Sequence, residues 1–338
     1  MLMAASKSSA HQGAWIATEA ERTVLISVVI PTVERRELLV RAVQSVCQQR
    51  LRSGSAEIIV IDNSPDGRQR QIVESVVQPS DSRITVRCVH EPKRGLVFAR
   101  NRGVAEAKGD FVVFLDDDEY PADPDWLTNL VDAAAQSGVD AAFGPVVPEF
   151  EVEPARISAF IMSVYSRDTR RADHTDVTDL TTDLGTGNSC FRRQTCFDSL
   201  GKPFTYEFNS TGGEDVDFLF RLRRGGKRFA WAATAAVYEF VSRERLSPTY
   251  LSDRRFRQGQ QHAYLQISSH PRRYDALFFW MAVGVLQTVY HFTAKWIARL
   301  CGMDECADLH GIQIWGGLGK ILWQAKHRRS HYGPQESI

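Results

Sequence analysis

Phe111-Val112-Val113-Phe114-Leu115-Asp116-Asp117-Asp118 decides the fold, because five apolar residues run directly into three carboxylates. An unbroken apolar run fits a strand buried on both faces, as in a parallel sheet covered by helices. Upstream, Leu25-Ile26-Ser27-Val28-Val29-Ile30 ends at Pro31 in the same pattern, and Leu38, Leu39, Ala42, Val43, Val46 and Cys47 follow at one-face helical spacing. Glu57-Ile58-Ile59-Val60-Ile61 predicts a second buried strand, stopped by the turn-rich Asp62-Asn63-Ser64-Pro65-Asp66-Gly67. A strand over Ile84 to Val89 and a helix from Leu96 to Ala107, closed by Gly109, lead back to the opening stretch. Beyond it, Trp126, Leu127, Leu130, Val131, Ala134 and Ala135 mark another amphipathic helix. Alternating strands and helices predict an α/β fold with a mostly parallel sheet covered by helices. In such sheets ligands bind outside the carboxyl ends of the strands. Asp62 and Asp116–Asp118 sit at two of those ends and are expected to face one crevice.

Three adjacent carboxylates repel one another, and a divalent cation relieves that cost. Hard oxygen donors suit Mg²⁺ or Mn²⁺, which take one or two carboxylates and complete their shell with phosphate oxygens and water. A solvated acidic turn before Trp126 is the plain alternative. Gly212-Gly213-Glu214-Asp215 opens a helix through Val216, Leu219, Phe220 and Leu222. Its glycines allow close ligand approach, its acids profit from the helix dipole, and Asp215 can accept a hydroxyl proton. Simple N-capping is the competing reading there. Residues 168–183, polar and acidic without periodicity, read as a mobile loop or lid.

The 338 residues balance 41 Lys+Arg against 41 Asp+Glu, which speaks against a nucleic-acid binder. No G-x-x-x-x-G-K-[ST], G-x-G-x-x-G or G-x-S-x-G motif occurs, which argues against P-loop, dinucleotide-binding and serine-hydrolase functions. Cys47 and Cys88 fall on core positions, pointing to a reducing, cytoplasmic compartment. Cys301, Cys306 and His310 match no common zinc spacing. Residues 1–22 lack a continuous apolar run and read as a flexible tail.

Ile26–Thr32, Ile59–Ser64, Gly95–Gly103 (GLVFARNRG), Phe114–Glu119 and Gly213–Asp215, in this order, resemble the family 2 glycosyltransferases of the GT-A fold. Asp116–Glu119 with Pro121 and Trp126-Leu127 is most similar to bacterial exopolysaccharide glucosyltransferases of the succinoglycan type. The resemblance implies a catalytic domain over 23–245 and a helical C-terminal region over 246–338. It implies donor contacts from Thr32, Asp62, Arg94, Asp116 and Asp117, with Thr32 and Asp62 at the nucleobase and ribose. Asp118 would be the principal metal ligand with Asp116, and Asp215, beside Glu214, the catalytic base. The implied reaction is an inverting, metal-dependent transfer of one sugar from a nucleotide-diphosphate donor such as UDP-glucose to a saccharide or lipid-linked acceptor. Processive members carry Gln-x-x-Arg-Trp after the base; Arg257-Gln258-Gly259-Gln260-Gln261 lacks the Arg-Trp pair, which favours single transfer. A sugar nucleotidyltransferase would need a Gly-rich basic loop in place of Pro31-Thr32-Val33-Glu34. A non-catalytic nucleotide-sugar-binding subunit would not need both acidic motifs intact.

Ala276 to Ala294 contains no Asp, Glu, Lys or Arg and is flanked by Arg272, Arg273, Lys295 and Arg299. A spanning helix needs ~20 mainly apolar residues; Gln287, Thr288 and His291 weaken that case. Across 276–329 three placements stay open: docking on the inner face of a membrane, packing on the catalytic domain or an oligomer partner, and spanning. Gly316, Gly317 and Gly319 make Ile312–Trp323 a poor isolated helix.

Overall fold

The computed structural model describes residues 24–327, except 77–78, 137, 199–200, 210–211, 269–271 and 325–326. The expected tail over 1–22 and the basic Lys326, Arg328 and Arg329 therefore lie outside the described residues.

The apolar runs form strands where hydrophobic patterning places them. β1 (Leu25–Thr32), α1 (Arg36–Cys47), β2 (Ser55–Asp62), α2 (Gln69–Val76), β3 (Ile84–His90), α3 (Leu96–Glu106) and β4 (Phe111–Phe114) alternate strand and helix, and their four strands lie side by side in one sheet. β5 (Glu119–Pro121), α4 (Trp126–Ala135), β6 (Ala141–Phe143), β7 (Val146–Phe150), α5 (Ser158–Tyr165), β8 (Ser189–Arg192) and α6 (Arg193–Cys196) follow. After α7 (Glu214–Arg224), β9 (Phe229–Trp231) and β10 (Val237–Val241), three long helices follow, α8 (Pro248–Ser268), α9 (Tyr274–Leu300) and α10 (Asp304–Ile321).

The main sheet has seven strands in the order β3-β2-β1-β4-β8-β6-β9. β1, β2, β3 and β4 are mutually parallel, while β8 pairs antiparallel with both β4 and β6. A second sheet, β5-β10-β7, has no clear trace in the sequence because its strands are three to five residues long. Two apolar layers cover the main sheet. One carries Leu39, Val43, Trp126 and Leu130 beneath α1 and α4; the other carries Phe191, Phe204, Phe218 and Trp231.

Residues 168–183 are not a free lid. Val177 and Thr181 are fully buried, Asp176 bridges to Ala230 by backbone, and Asp176 and Asp179 pair with Arg228 and Arg171. Two of the acids that read as loop polarity, Asp176 and Asp179, are thus counter-ions for arginines. The C-terminal glycines also act differently from an isolated-helix expectation. A Cβ on Gly319 would lie 2.1 Å from the Phe256 carbonyl oxygen, and one on Gly317 would lie 2.3 Å from Thr288 Oγ1. Their absence of side chain lets α10 press against α8 on one side and α9 on the other, so packing offsets the propensity cost.

Candidate active site

The carboxyl ends of β1, β2 and β4 meet at one edge of the sheet. Thr32 stands opposite Asp62 in the β1–β2 register, and Thr32 Oγ1 donates to Asp117 Oδ2 at 2.7 Å. Asp62 is fully buried. Its Oδ1 accepts from the Ser64 amide (2.9 Å) and hydroxyl (2.6 Å), and its Oδ2 accepts from the Gln69 amide (2.9 Å). Its first task is thus to fold the turn after β2, as short acidic side chains do. Arg94 is exposed, and its carbonyl accepts from Asn209 Nδ2 at 3.3 Å.

The three aspartates after β4 point to different partners. Asp117 Oδ1 accepts from Arg35 at 3.2 Å, and Asp118 Oδ2 accepts from Arg35 at 2.9 Å and Arg245 at 3.2 Å. Burial pushes the Asp118 carboxyl up to about 7, with Glu239 and Asp117 adding to the rise and the two arginines opposing it. Asp116 instead lines a cavity of about 630 Å³, together with Glu119, Glu214, Asp215 and Glu239. Thr32, Arg94, Asp62, Asp117 and Asp118 are not on that cavity's wall.

Arg100 joins the two acidic motifs. Its side chain is buried, Nη2 donates to Asp116 Oδ1 at 3.2 Å, and Nη1 donates to Glu214 Oε1. In the sequence Arg100 lies inside the GLVFARNRG stretch, with no sign that its side chain reaches from α3 to both acidic motifs. Among the described residues Glu214 Oε2 is buried without a hydrogen-bond partner. Desolvation raises the Glu214 carboxyl to about 7, against the pull of Arg100. Asp215, half-exposed in the same first turn of α7, accepts from the Val216 amide at 2.8 Å and lines the cavity. Gly213 makes this approach possible: its φ is +93°, and a Cβ there would lie 2.4 Å from Gln261 Nε2 on α8. Both acids lie at a helix N-terminus, where the aligned backbone dipoles favour negative charge.

Other side chains shape the site without any motif. Glu119 Oε2 accepts from the Asp116 amide (3.0 Å) and the Asn188 amide (3.1 Å), fixing the backbone after β4. Arg167 donates to the carbonyls of Gly144, Gly185, Gly187 and Asn188 at 2.6–3.2 Å, holding the wall opposite Asp215. Glu119 was visible as the last letter of the acidic run, whereas Arg167, Glu239 and Arg245 carry no sequence signal.

Among the described residues no three His, Cys, Asp or Glu side chains converge as a metal cage. Asp116 and Asp118, two hard carboxylates at a strand end, fit a cation that arrives with a diphosphate better than one resident on protein ligands alone. Arg35, half-exposed on Asp118, is the contact such a cation would displace. Elsewhere, His310 faces His291, with 2.9 Å between their Nδ1 atoms, while Cys301 is exposed.

A mostly parallel sheet flanked by helices, with acidic residues after β4 and at the start of α7, is the architecture of a GT-A glycosyltransferase. Residues 27–196, about half of the chain, match glycosyl transferase family 2, and the chain belongs to that family. It is 32% identical over 215 residues to the succinoglycan biosynthesis protein ExoM of Rhizobium meliloti, covering 62% of this chain and 64% of that protein. It is 35% identical over 94 residues to the GalNAc(5)-diNAcBac-PP-undecaprenol beta-1,3-glucosyltransferase of Campylobacter jejuni, covering 28% of this chain and 29% of that one. The chain thus matches less than two thirds of either relative's length. The mannosyltransferase PcManGT of Pyrobaculum calidifontis, solved with GDP-Man and Mn²⁺, shares the GT-A fold. It superimposes with a TM-score of 0.55 at 17% identity, covering 90% of this chain and 88% of that one.

Proposed function

We propose that the chain transfers a single sugar, with inversion, from a nucleotide-diphosphate donor to an acceptor hydroxyl during polysaccharide assembly. The observation that carries this reading is Arg100, which ties Asp116 to Glu214 on one cavity although 114 residues separate Arg100 from Glu214. In the proposed step the acceptor oxygen attacks the anomeric carbon while Asp215 takes its proton. The bond from that carbon to the diphosphate breaks on the opposite face, and the nucleoside diphosphate leaves. The charge that develops on the sugar is oxocarbenium-like, as in other glycosyl transfers. A divalent cation, Mg²⁺ or Mn²⁺ on Asp118 and Asp116, would neutralise the departing diphosphate. Thr32 and Asp117 brace that strand end from behind, and Glu214 and Arg100 keep Asp215 in place. Asp62, buried and engaged in its own turn, would act on a nucleobase only by shaping the loop after β2, and Arg94, exposed beside α3, would approach the donor from outside the cavity.

α9 supports a membrane-docked acceptor side. It is the one helix among the described residues long and apolar enough to cross a membrane, by length and composition alone. Its outer face exposes Phe278, Phe279, Leu286, Val289, Phe292 and Trp296, a larger apolar surface than water-facing helices usually carry. Arg272, Arg273 and Arg299 flank this face at both ends and are exposed. Amphipathic helices with such flanks lie in the plane of a bilayer surface. Six unpaired cysteines fit a reducing compartment, so we place the chain on the cytoplasmic side of the membrane. The acceptor would be lipid-linked, as the name of the Campylobacter relative states for that enzyme.

The test is a nucleotide-sugar panel, UDP-, GDP- and dTDP-linked, added to the full chain with Mn²⁺ or with chelator while the melting temperature is followed. One donor should stabilise the protein in metal and lose that effect in chelator. Failure of every donor to shift the melting temperature under either condition would remove the reading.

A further inference from the structure

The cavity wall carries chemically opposite groups. Asp116, Glu214 and Asp215 come from the end of β4 and the start of α7; the cationic part comes from Arg254, Arg255 and Arg257 of α8 and Lys320 of α10, with Gln287 of α9 and Gln313 of α10. Lys320 is only 8% exposed. Its Nζ donates to Gln287 Oε1 at 2.8 Å and to the Gly316 carbonyl at 3.5 Å, both neutral. Arg255 donates to Gln258 Oε1 at 3.1 Å and covers the Phe160 ring, and its Nε is buried with no hydrogen-bond partner among the described residues. Arg254 donates to the Val164 carbonyl and covers the Tyr165 ring. Among the described residues none of these three cations is paired with a carboxylate.

A buried cation without a counter-ion is costly, and Lys320 is buried beside the half-buried Arg255, which in turn lies beside the half-buried Arg254. Burial and Arg255 push the Lys320 amine down, and burial and Arg254 push Arg255 down. A methionine at position 320 would join α9 to α10 through packing without that penalty. The cluster is therefore a poor structural device and a good anion receptor. Its position adds the rest. Gln287 faces the cavity, and the next residue toward the N-terminus, Leu286, is 71% exposed on the outer apolar face of α9. One helix thus separates the cationic part of the wall from the face assigned above to the membrane.

We infer that Arg255 and Lys320, with Arg254, form an acceptor-side subsite for the phosphate or diphosphate of an amphiphilic acceptor, holding its sugar toward Asp215 while its apolar tail follows α9. This inference rests on the proposed transfer, whose donor contacts are other residues. Three sources could supply such an anion: the acceptor's own diphosphate, a phospholipid headgroup and the donor diphosphate.

Farnesyl diphosphate is the probe for the first, vesicles of phosphatidylcholine with phosphatidylglycerol for the second, and the nucleotide sugar for the third. Binding of each to the full chain is compared for wild type, Arg255→Gln, Lys320→Met and the charge-keeping Arg255→Lys. The subsite predicts that each neutral variant weakens farnesyl diphosphate by at least about tenfold, as loss of a buried charge contact does. Arg255→Lys should recover most of the affinity, and nucleotide-sugar and vesicle binding should stay at the wild-type level. Unchanged farnesyl diphosphate binding would overturn the inference. So would a parallel loss of nucleotide-sugar binding, which assigns the cations to the donor, or of vesicle binding, which assigns them to a headgroup. Failure of the subsite would leave metal-dependent donor stabilisation intact, so the two readings fall separately. Unaltered melting of Lys320→Met shows that its result is not one of misfolding.

Discussion

β2 and α9 use apolar residues in opposite ways. Along β2 every residue from Ala56 to Asp62 is buried, and the strand vanishes into the sheet. Along α9 the polar Gln287, Thr288 and His291 turn inward toward α10, while Phe278, Leu286 and Phe292 turn outward. The first arrangement is what water imposes on a chain. The second would be unfavourable against water alone, and it suits a helix whose outer neighbour is itself apolar. Hydropathy sums treat the two segments alike; only the direction of each side chain separates a core from a docking face.

The largest effect expected lies where the sheet edge meets α7. Asp215→Asn keeps the size of the side chain and removes its ability to take a proton. Transfer should fall by roughly 10²–10⁴-fold, the range for a general base, while metal-dependent donor stabilisation persists. Initial rates with a competent donor and acceptor check this; near-native turnover would assign the proton to another group.

The contrast between β2 and α9 is sharpened by a matched pair of truncations. Ile59 is fully buried and Leu286 is 71% exposed. Ile59→Ala should cost about 2–5 kcal/mol through lost burial and the cavity left behind. Leu286→Ala should stay within about 0.5 kcal/mol in denaturant melts and yet weaken association with vesicles. Equal stability losses for the two would mean that α9 packs on protein in solution, and the docking reading would go.

Much of this contrast was legible in the sequence. The strands β1, β2 and β4 and the helices α1, α3 and α4 follow from apolar periodicity, and the order of the motifs pointed to the GT-A fold. The acidic run and Gly213-Glu214-Asp215 were visible as chemistry because charge at the end of a buried strand or the start of a helix asks for a reason. Arg100 and Arg167 were not, since a buried arginine in a helix or loop looks like any surface arginine until its partners are placed. The basic wall of the cavity was hidden for the same reason: Arg254 and Arg255 lie on α8 and Lys320 on α10, and only the glycine contacts between those helices bring them together. Residues 168–183 misled because Asp176 and Asp179 read as solvation, when Arg228, distant in sequence, and Arg171, within the segment, pair with them.

Glu214 sets the smallest and most delicate prediction, because two forces on it have opposite signs. Arg100 favours its charged form, and burial favours its protonated form; burial prevails, so the carboxyl rises from 4.5 to about 7. The folded chain then holds a proton between those values that the unfolded chain has released. Stability from this group is therefore greatest below pH 4.5, declines as pH rises to about 7, and is flat above it. Glu214→Gln removes the titrating group while keeping a neutral partner for Arg100. In chelated buffer, wild type should lose melting temperature relative to Glu214→Gln across that window and run parallel to it at higher pH. A difference that moves the other way, with wild type gaining as pH rises, would mean that the Arg100 ion pair outweighs desolvation. The buried link between the two acidic motifs would then contribute to stability in its charged form.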